Sequence, residues 1–300
     1  MSERAVVSLI IFAAICVVLY VVSKASQKGK MLATYVILVA VALTMLIPFY
    51  WMFVLATHTT QNIAKSPPPF WFGMNFPANF GSMIRSVNYI MHFLNSAIIS
   101  VSHSALVLFF CSIGGYAFAM YRFPGRNKLF AALLATMMVP ATSGIIPWFF
   151  MMSRFGWINN YFALIIPGAA NAFGIFWMRQ YCQNNIPSSL VDAARIDGCS
   201  EWLIFFRVIA PVLLPAFSAL GIMTFVGSWN DFMYPLLILR TVDKWTLPLM
   251  LRYMMGDPNR GGDLGAMMLA NAMAVMPLLI AFLCMSRFFM SGLTTGAIKE

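Results

Sequence analysis

Three of the chain's nine acidic residues, Asp192, Asp197 and Glu201, fall in one stretch, Ile186 to Pro215, flanked on both sides by strongly apolar sequence. Charge placed this way suits recognition of a partner in water better than acid–base catalysis. The local spacing reads as a short helical hairpin. Pro187 fits a helix entry, and Ser189 to Asp192 has capping-box spacing, with Asp for the usual Glu. Asp192 is then expected in the first turn, where the macrodipole favours an anion. Ala193 and Ala194 propagate the helix and leave a low face that another protein can approach. Gly198 is placed to stop it, since glycine accepts the left-handed C′ conformation. Ser200 caps a second short helix that carries Glu201 and Trp202 and returns through Phe205 to apolar sequence.

One further acid, Asp231 in Ser228-Trp229-Asn230-Asp231, lies within an apolar run. An ionisable group there marks a functional candidate. Two readings stand side by side: an interfacial hydrogen-bonding role, or the lining of a substrate path together with Asn230, Trp229 and Asn171. His103 and Asn95 are further polar residues in apolar surroundings, where an amide can simply tie helices together. Other chemistries find little support. No G-x-x-x-x-G-K-[ST] exists, so the chain has no P-loop for ATP. No HExxH, paired-carboxylate or Ser/His/Asp arrangement is present, so no catalytic residue and no metal ligand is assigned. The five cysteines lack metal or CxxC spacing and read as small core residues.

Composition sets the class. With 61% hydrophobic and 9% charged residues, the chain hides apolar surface in lipid. The net charge of +10 does not indicate nucleic acid, because the basic residues sit in short loops between apolar runs. Candidate spans are 5–22, 31–55, 89–120, 129–151, 161–181, 208–239 and 264–290. The first, followed by Lys24, Lys28 and Lys30, reads as an uncleaved helix with its N-terminus outside; a signal peptide is the rival reading. Thr57 to Asn88 is expected to be an extended, Pro-rich loop. Residues 1–30 thus form an extra helix with a basic linker, and 31–300 the main domain. Pro140, Pro147, Pro167, Pro211, Pro215, Pro235 and Pro277 predict helices bent or broken in places. Glycine and alanine clusters such as Gly114-Gly115 predict close helix packing.

The segment Asp192-Ala-Ala-Arg-Ile-Asp-Gly198, followed by Pro211 and Pro215, resembles the EAA loop of bacterial ABC importer permeases. Phe123-Pro-Gly-Arg126, Val139-Pro140, Ile146-Pro147, Asn159 to Pro167, Ser228 to Phe232 and Gly292 to Lys299 extend the similarity over residues 31–300. Together they resemble the second permease subunit of maltose and glycerol-phosphate type importers. The resemblance implies an all-α polytopic membrane protein, a type I importer domain with six core helices plus the extra one. It implies a coupling loop at 186–207 with Ser189, Asp192, Ala193, Ala194, Asp197, Gly198 and Glu201 facing the ATPase. It also implies a tail (Gly292, Leu293, Thr294, Gly296) reaching the ATPase, and two glycines there suggest an extended segment. The chain itself binds no cofactor, and ATP and Mg belong to the partner. The implied partners are a second permease in a heterodimer, an ATPase dimer, an external solute-binding protein, a sugar and the lipid of a bacterial inner membrane. Loop and C-terminus are expected in the cytoplasm. A glycerol-phosphate or polyol cargo remains an alternative within this class, and a self-contained channel or secondary transporter one outside it.

Overall fold

The computed structural model describes residues 27–256 and 263–296, and these are helical and strand-free. The expected first span, 5–22, lies outside the described residues. Helix α1 runs Gln27–Leu55. It starts inside the expected basic linker, because Lys28 and Lys30 do nothing to oppose helix propagation. Most of its side chains are exposed, Leu38 and Leu43 at nearly 60%, and the helix is long and apolar enough to cross a membrane. Next come α2 (Phe76–Ser86) and α3 (Tyr89–Met120). The expected extended loop is therefore partly helical: Pro77 falls in the first turn of α2, where its missing N–H costs nothing.

Among the described residues, three helices, Gln27–Leu55, Tyr89–Met120 and Leu264–Ser286, are long and apolar enough to cross a membrane on their own. The remaining expected spans are broken. The segment 129–151 divides into α4 (Arg126–Thr136) and α5 (Ile145–Arg154), separated at Pro140. The segment 161–181 divides into one turn, Phe162–Ile165, and α6 (Ala172–Asn185), with Gly168 at φ +80° between them. Beyond the hairpin helix α7 (Ser188–Ile196), α8 (Glu201–Val212) meets α9 (Leu214–Trp229) at 79°. Pro211 and Pro215 withdraw backbone donors at that joint, and α8 itself carries a π-helical stretch, Ile204–Ile209.

Helix α10 (Met233–Ile238) leads to α11 (Leu247–Gly256), which buries Leu247 and Met250 in a stretch with no candidate span. Finally α12 covers Leu264–Gly296. The tail expectation is corrected here: Gly292, Leu293, Thr294 and Gly296 remain helical in backbone. Extending an existing helix is cooperative, and the cost of about 1 kcal/mol per glycine does not stop it.

The bundle has two ends. Helix α3 is about 48 Å long at 1.5 Å per residue. At its N-terminal end, the Tyr89 hydroxyl donates to the Ala270 carbonyl, and Ala56, Met83 and Met250 fill one core cluster. At its C-terminal end, Val191, Ala194, Phe205 and Tyr116 fill another. Between them α3 packs closely on α6, and a Cβ on Gly115 would lie 2.5 Å from the Met178 Cβ. The glycine cluster therefore does pack helices together.

Candidate functional site: a latched hairpin and a membrane cavity

The hairpin is built locally. Pro187, with φ −65° and ψ 137°, occupies the N-cap position of α7 and offers no side-chain cap. The capping-box expectation is corrected: the helix starts at Ser188, so Ser189 is its second residue and Asp192 its fifth. The ring of Pro187 already fixes the entry geometry that a capping serine would stabilise. The stop is as expected. Gly198 has φ +78°, and the Cys199 N–H donates to the Ala194 carbonyl at 3.1 Å in a Schellman-type ending. Ser200 caps α8 by accepting from the Leu203 N–H.

Helical spacing divides the face. Val191 and Ala194, three apart, are buried at 2% and 8% against α8 and the bundle. Ala194 is thus not part of an approachable surface, and the expected Ala193–Ala194 face is corrected. One helical position apart, the two alanines point about 100° from each other. The exposed face carries Asp192, Ala193, Asp197 and Ile196, the last 86% exposed. Trp202 is also largely exposed.

A latch at the end of α3 holds the hairpin. Arg195 donates from Nε to Glu201 at 2.8 Å and from Nη1 to Asp192 at 3.3 Å. Its guanidinium lies 5.7 Å from the Tyr121 ring, and the Tyr121 hydroxyl donates to Glu201 Oε2. The hydrogen bond from Arg195, then that from Tyr121, holds the Glu201 carboxyl below the usual carboxylate range. Burial and then the Glu201 hydrogen bond push the Tyr121 phenol up. Arg195 and Tyr121 were not among the expected site residues. The sequence signal was present, an Arg three residues after an acid and six before another, but nothing local brings Tyr121 to them.

The second feature is a cavity of about 590 Å³ lined by Asp231, Asn171, His103, Trp148, Tyr234 and Ser228, among others. His103 is near the midpoint of α3, so the cavity reaches the middle of the bundle. Asp231 Oδ1 accepts from the Tyr234 N–H at 3.4 Å, and the Tyr234 and Trp148 rings meet edge-on at 4.6 Å. His103 Nδ1 donates to the Ile165 carbonyl at 2.9 Å. Asn171 caps α6, accepting from Gly174 at 2.7 Å and donating to the Gly168 carbonyl at 3.0 Å. Among the cavity-lining residues there is no Lys or Arg.

The other two expected path residues lie elsewhere. Trp229 is 2% exposed, stacks near Phe225 and Phe93, and donates to the Ala274 carbonyl. Asn230 lines a smaller recess of about 210 Å³ beside Leu251 and Asn271. Asn95 donates to the carbonyls of Asp243 and Trp245, a structural tie of α3 to the loop before α11. Sequence reasoning missed Trp148 and Tyr234, which are ordinary aromatics until the fold brings them together.

Comparison with known proteins bears on the family and the fold. The family described as binding-protein-dependent transport system inner membrane component matches residues 112–294. The arabinooligosaccharides transport system permease protein AraQ of Bacillus subtilis is 37% identical over 70% of this chain and 74% of its own length. The lactose transport system permease protein LacG of Rhizobium radiobacter is 32% identical over 88% of this chain and 95% of its own. Among solved structures, a chain of a bacterial ABC transporter that imports the acidic polysaccharide alginate superposes with TM-score 0.77. The match covers 88% of this chain and 99% of that one at 23% identity, a likeness of fold.

Proposed function

The chain belongs to the binding-protein-dependent transport inner membrane components and has the fold of an ABC importer membrane subunit, and from this we infer that it carries a neutral oligosaccharide across the inner membrane. It is a non-catalytic subunit. The observation that carries the cargo reading is the cavity: a carboxylate, an imidazole and two aromatic rings converge there without a Lys or Arg. Sugar C–H faces pack on aromatic rings, while hydroxyls donate to a carboxylate and hydrogen-bond with an imidazole. A phosphate would meet the Asp231 carboxylate with no Lys or Arg to offset it, which disfavours a glycerol-phosphate cargo.

The work of moving the cargo enters at the hairpin. The exposed α7 face, with Asp192, Ala193, Ile196 and Asp197, seats in a groove of a separate ATPase that binds ATP and Mg. Ile196 supplies an apolar anchor and the two acids seek basic partners on the ATPase. Because Val191 and Ala194 are sunk in the bundle and Arg195 and Glu201 latch to Tyr121, a displacement of α7 is passed to α3 and α8. The joint between α8 and α9 is where that displacement can turn, since its prolines leave few backbone hydrogen bonds to break. Opening the cavity to either side then follows nucleotide state, provided the ATPase holds the two hairpin positions with different affinity. In this reading a second permease completes the path, a solute-binding protein delivers from outside, and hairpin and C-terminus face the cytoplasm.

The test is uptake by the assembled importer against a panel of neutral sugars, uronic acids and sugar phosphates. Neutral oligosaccharides are expected to be transported, with loss on Asp231→Asn. Preference for a phosphorylated or acidic cargo would overturn the cargo reading and leave the family membership untouched.

A further inference from the structure

The connection from α1 to α2 carries an apolar surface with no role in coupling or in the cavity. Trp71 is 81% exposed and Met74 99%, and Phe70 and Phe72 exceed half exposure. The surface continues along α2, where Phe76, Phe80 and Ile84 recur every four residues and are exposed, while Asn79 and Met83 of the same helix are buried. An exposed stripe of this kind marks an interaction site.

Three observations identify what it meets. First, residues 66–84 contain no charged side chain and are bracketed by Lys65 and Arg85. Long cationic side chains at the edges of an apolar segment can reach lipid phosphates. Second, the loop is fastened to the aromatic end of the apolar helix α1. The Tyr50 hydroxyl donates to the Phe70 carbonyl at 2.8 Å and Trp51 Nε1 to the Pro69 carbonyl at 3.1 Å. The Trp51 and Phe70 rings stack at 5.5 Å, which sets the loop at the depth of an aromatic belt.

Third, the backbone is prepared for a place poor in water. His58 Nε2 donates to the Trp71 carbonyl at 2.8 Å, so three successive carbonyls, 69 to 71, each accept a side-chain donor. The three prolines 67–69 bring no N–H, and the Gly73 N–H donates to Thr57 Oγ1 at 2.8 Å. A Cβ on Gly73 would lie 2.6 Å from the Thr57 carbonyl oxygen, so the loop is pressed tightly onto α1. Irregular backbone at membrane depth requires such internal partners, whereas a loop in water does not.

We propose that residues 66–84 form a lipid-binding anchor: the loop and the outer stripe of α2 insert into the interface of the leaflet opposite the hairpin, with Lys65 and Arg85 on phospholipid phosphates. The leaflet follows from the fold, since Tyr89 and Tyr121, at the two ends of α3, neighbour this region and the hairpin respectively. The occupant is phospholipid because the uncharged aromatic stripe is bracketed by two cations that match lipid phosphates, at the aromatic end of the apolar helix α1. Its consequence is mechanical: a fixed end of α1 and α3 against which hairpin motion at the other end can act.

The experiment uses the full importer in vesicles of phosphatidylethanolamine and phosphatidylglycerol, with the photo-reactive benzoylphenylalanine placed at Trp71, Phe80 or, as a control, Ile196. Phospholipid-mass adducts at 71 and 80, and their loss at 196, are the expected result. Adducts to the solute-binding protein or the second permease at 71 and 80 would assign the surface to a protein. No lipid adduct at either position, with both quenched by aqueous iodide when replaced by a fluorescent label, would also overturn the anchor. A shallow-depth spin-labelled lipid should quench that label more strongly than one labelled near the bilayer centre.

Discussion

The hairpin and the cavity do opposite work with opposite materials. The hairpin places its charges in water, where Arg195, Asp192 and Glu201 are each at least 39% exposed and their pairing is screened. Its rigidity comes instead from buried apolar contacts, with Ile204, Ile209 and Leu213 of the adjoining chain fully enclosed. The cavity keeps its acid in the bundle; α3 and α9 form part of its wall, and the rest comes from segments that are short, bent or turn-like: α5, the 162–165 turn, the α6 entry and α10. In the proposed cycle, force enters through a stiff, solvent-facing element and is spent where backbone hydrogen bonding is already interrupted. A transporter gains from that division, since a soft lever would absorb the motion and a stiff cavity wall would resist it.

The comparison breaks first at Ala194. Ala194→Trp is expected to overpack the hairpin against α8 at a cost of about 1–3 kcal/mol. Uptake should be lost together with part of the folded subunit, measured by yield and thermal stability in detergent. Ala193→Trp, on the exposed face, should leave stability within about 0.5 kcal/mol and abolish only ATPase association. Equal stability of the two variants would show that α7 has no buried side.

Next in size is the cavity. Asp231→Asn should lower uptake about ten- to a hundredfold, the range of a lost hydrogen bond to a charged group, about 1.5–3 kcal/mol, and Trp148→Ala should lower it through the lost ring face. Binding of the ATPase to the same membranes should be unchanged. If ATPase binding fell in parallel, the two regions would not be separable.

Gly198→Ala should cost about 1 kcal/mol, from a Cβ in the left-handed region and not from any clash, because the space beside Gly198 is open. The readout is a small drop in subunit stability of that size, with a modest loss of coupling efficiency, the cargo moved per ATP hydrolysed.

The smallest effect belongs to the latch, and it depends on pH. Glu201 has its pKa depressed on folding, so its contribution is present above the unfolded value of about 4.3 and fades as pH falls toward and through the folded one. Glu201→Gln should therefore weaken coupling slightly at neutral pH and match the unaltered protein in strong acid. Hairpin protease protection across pH 3 to 7 reports this; identical curves for both proteins would remove Glu201 from the latch.

Reading the chain as residues alone determined whatever is stored in neighbours along it. Apolar run length fixed the helical membrane class, because a bilayer demands internally bonded backbone over a known thickness. Gly198 and Ser200 announced the hairpin's stop and restart, since each acts within a few residues of itself. The start was misread because Pro187 and Ser189 are two plausible caps two residues apart, and only the backbone at Pro187 decides between them. What needed the tertiary structure was every fact about distant partners. Ala193 and Ala194 are the same residue type, and only packing against Phe205 and Ile204 says which is buried. Asp231 and Trp229 are two apart, yet one faces the cavity and the other the core, because the chain turns out of α9 at Asn230. Trp148 and Tyr234 are 86 positions apart in the chain, and their edge-on contact exists only because the broken helices bring α5 to α10. Short-range signals survive in sequence because they act through fixed covalent spacing, whereas a cavity is the space left when distant elements pack.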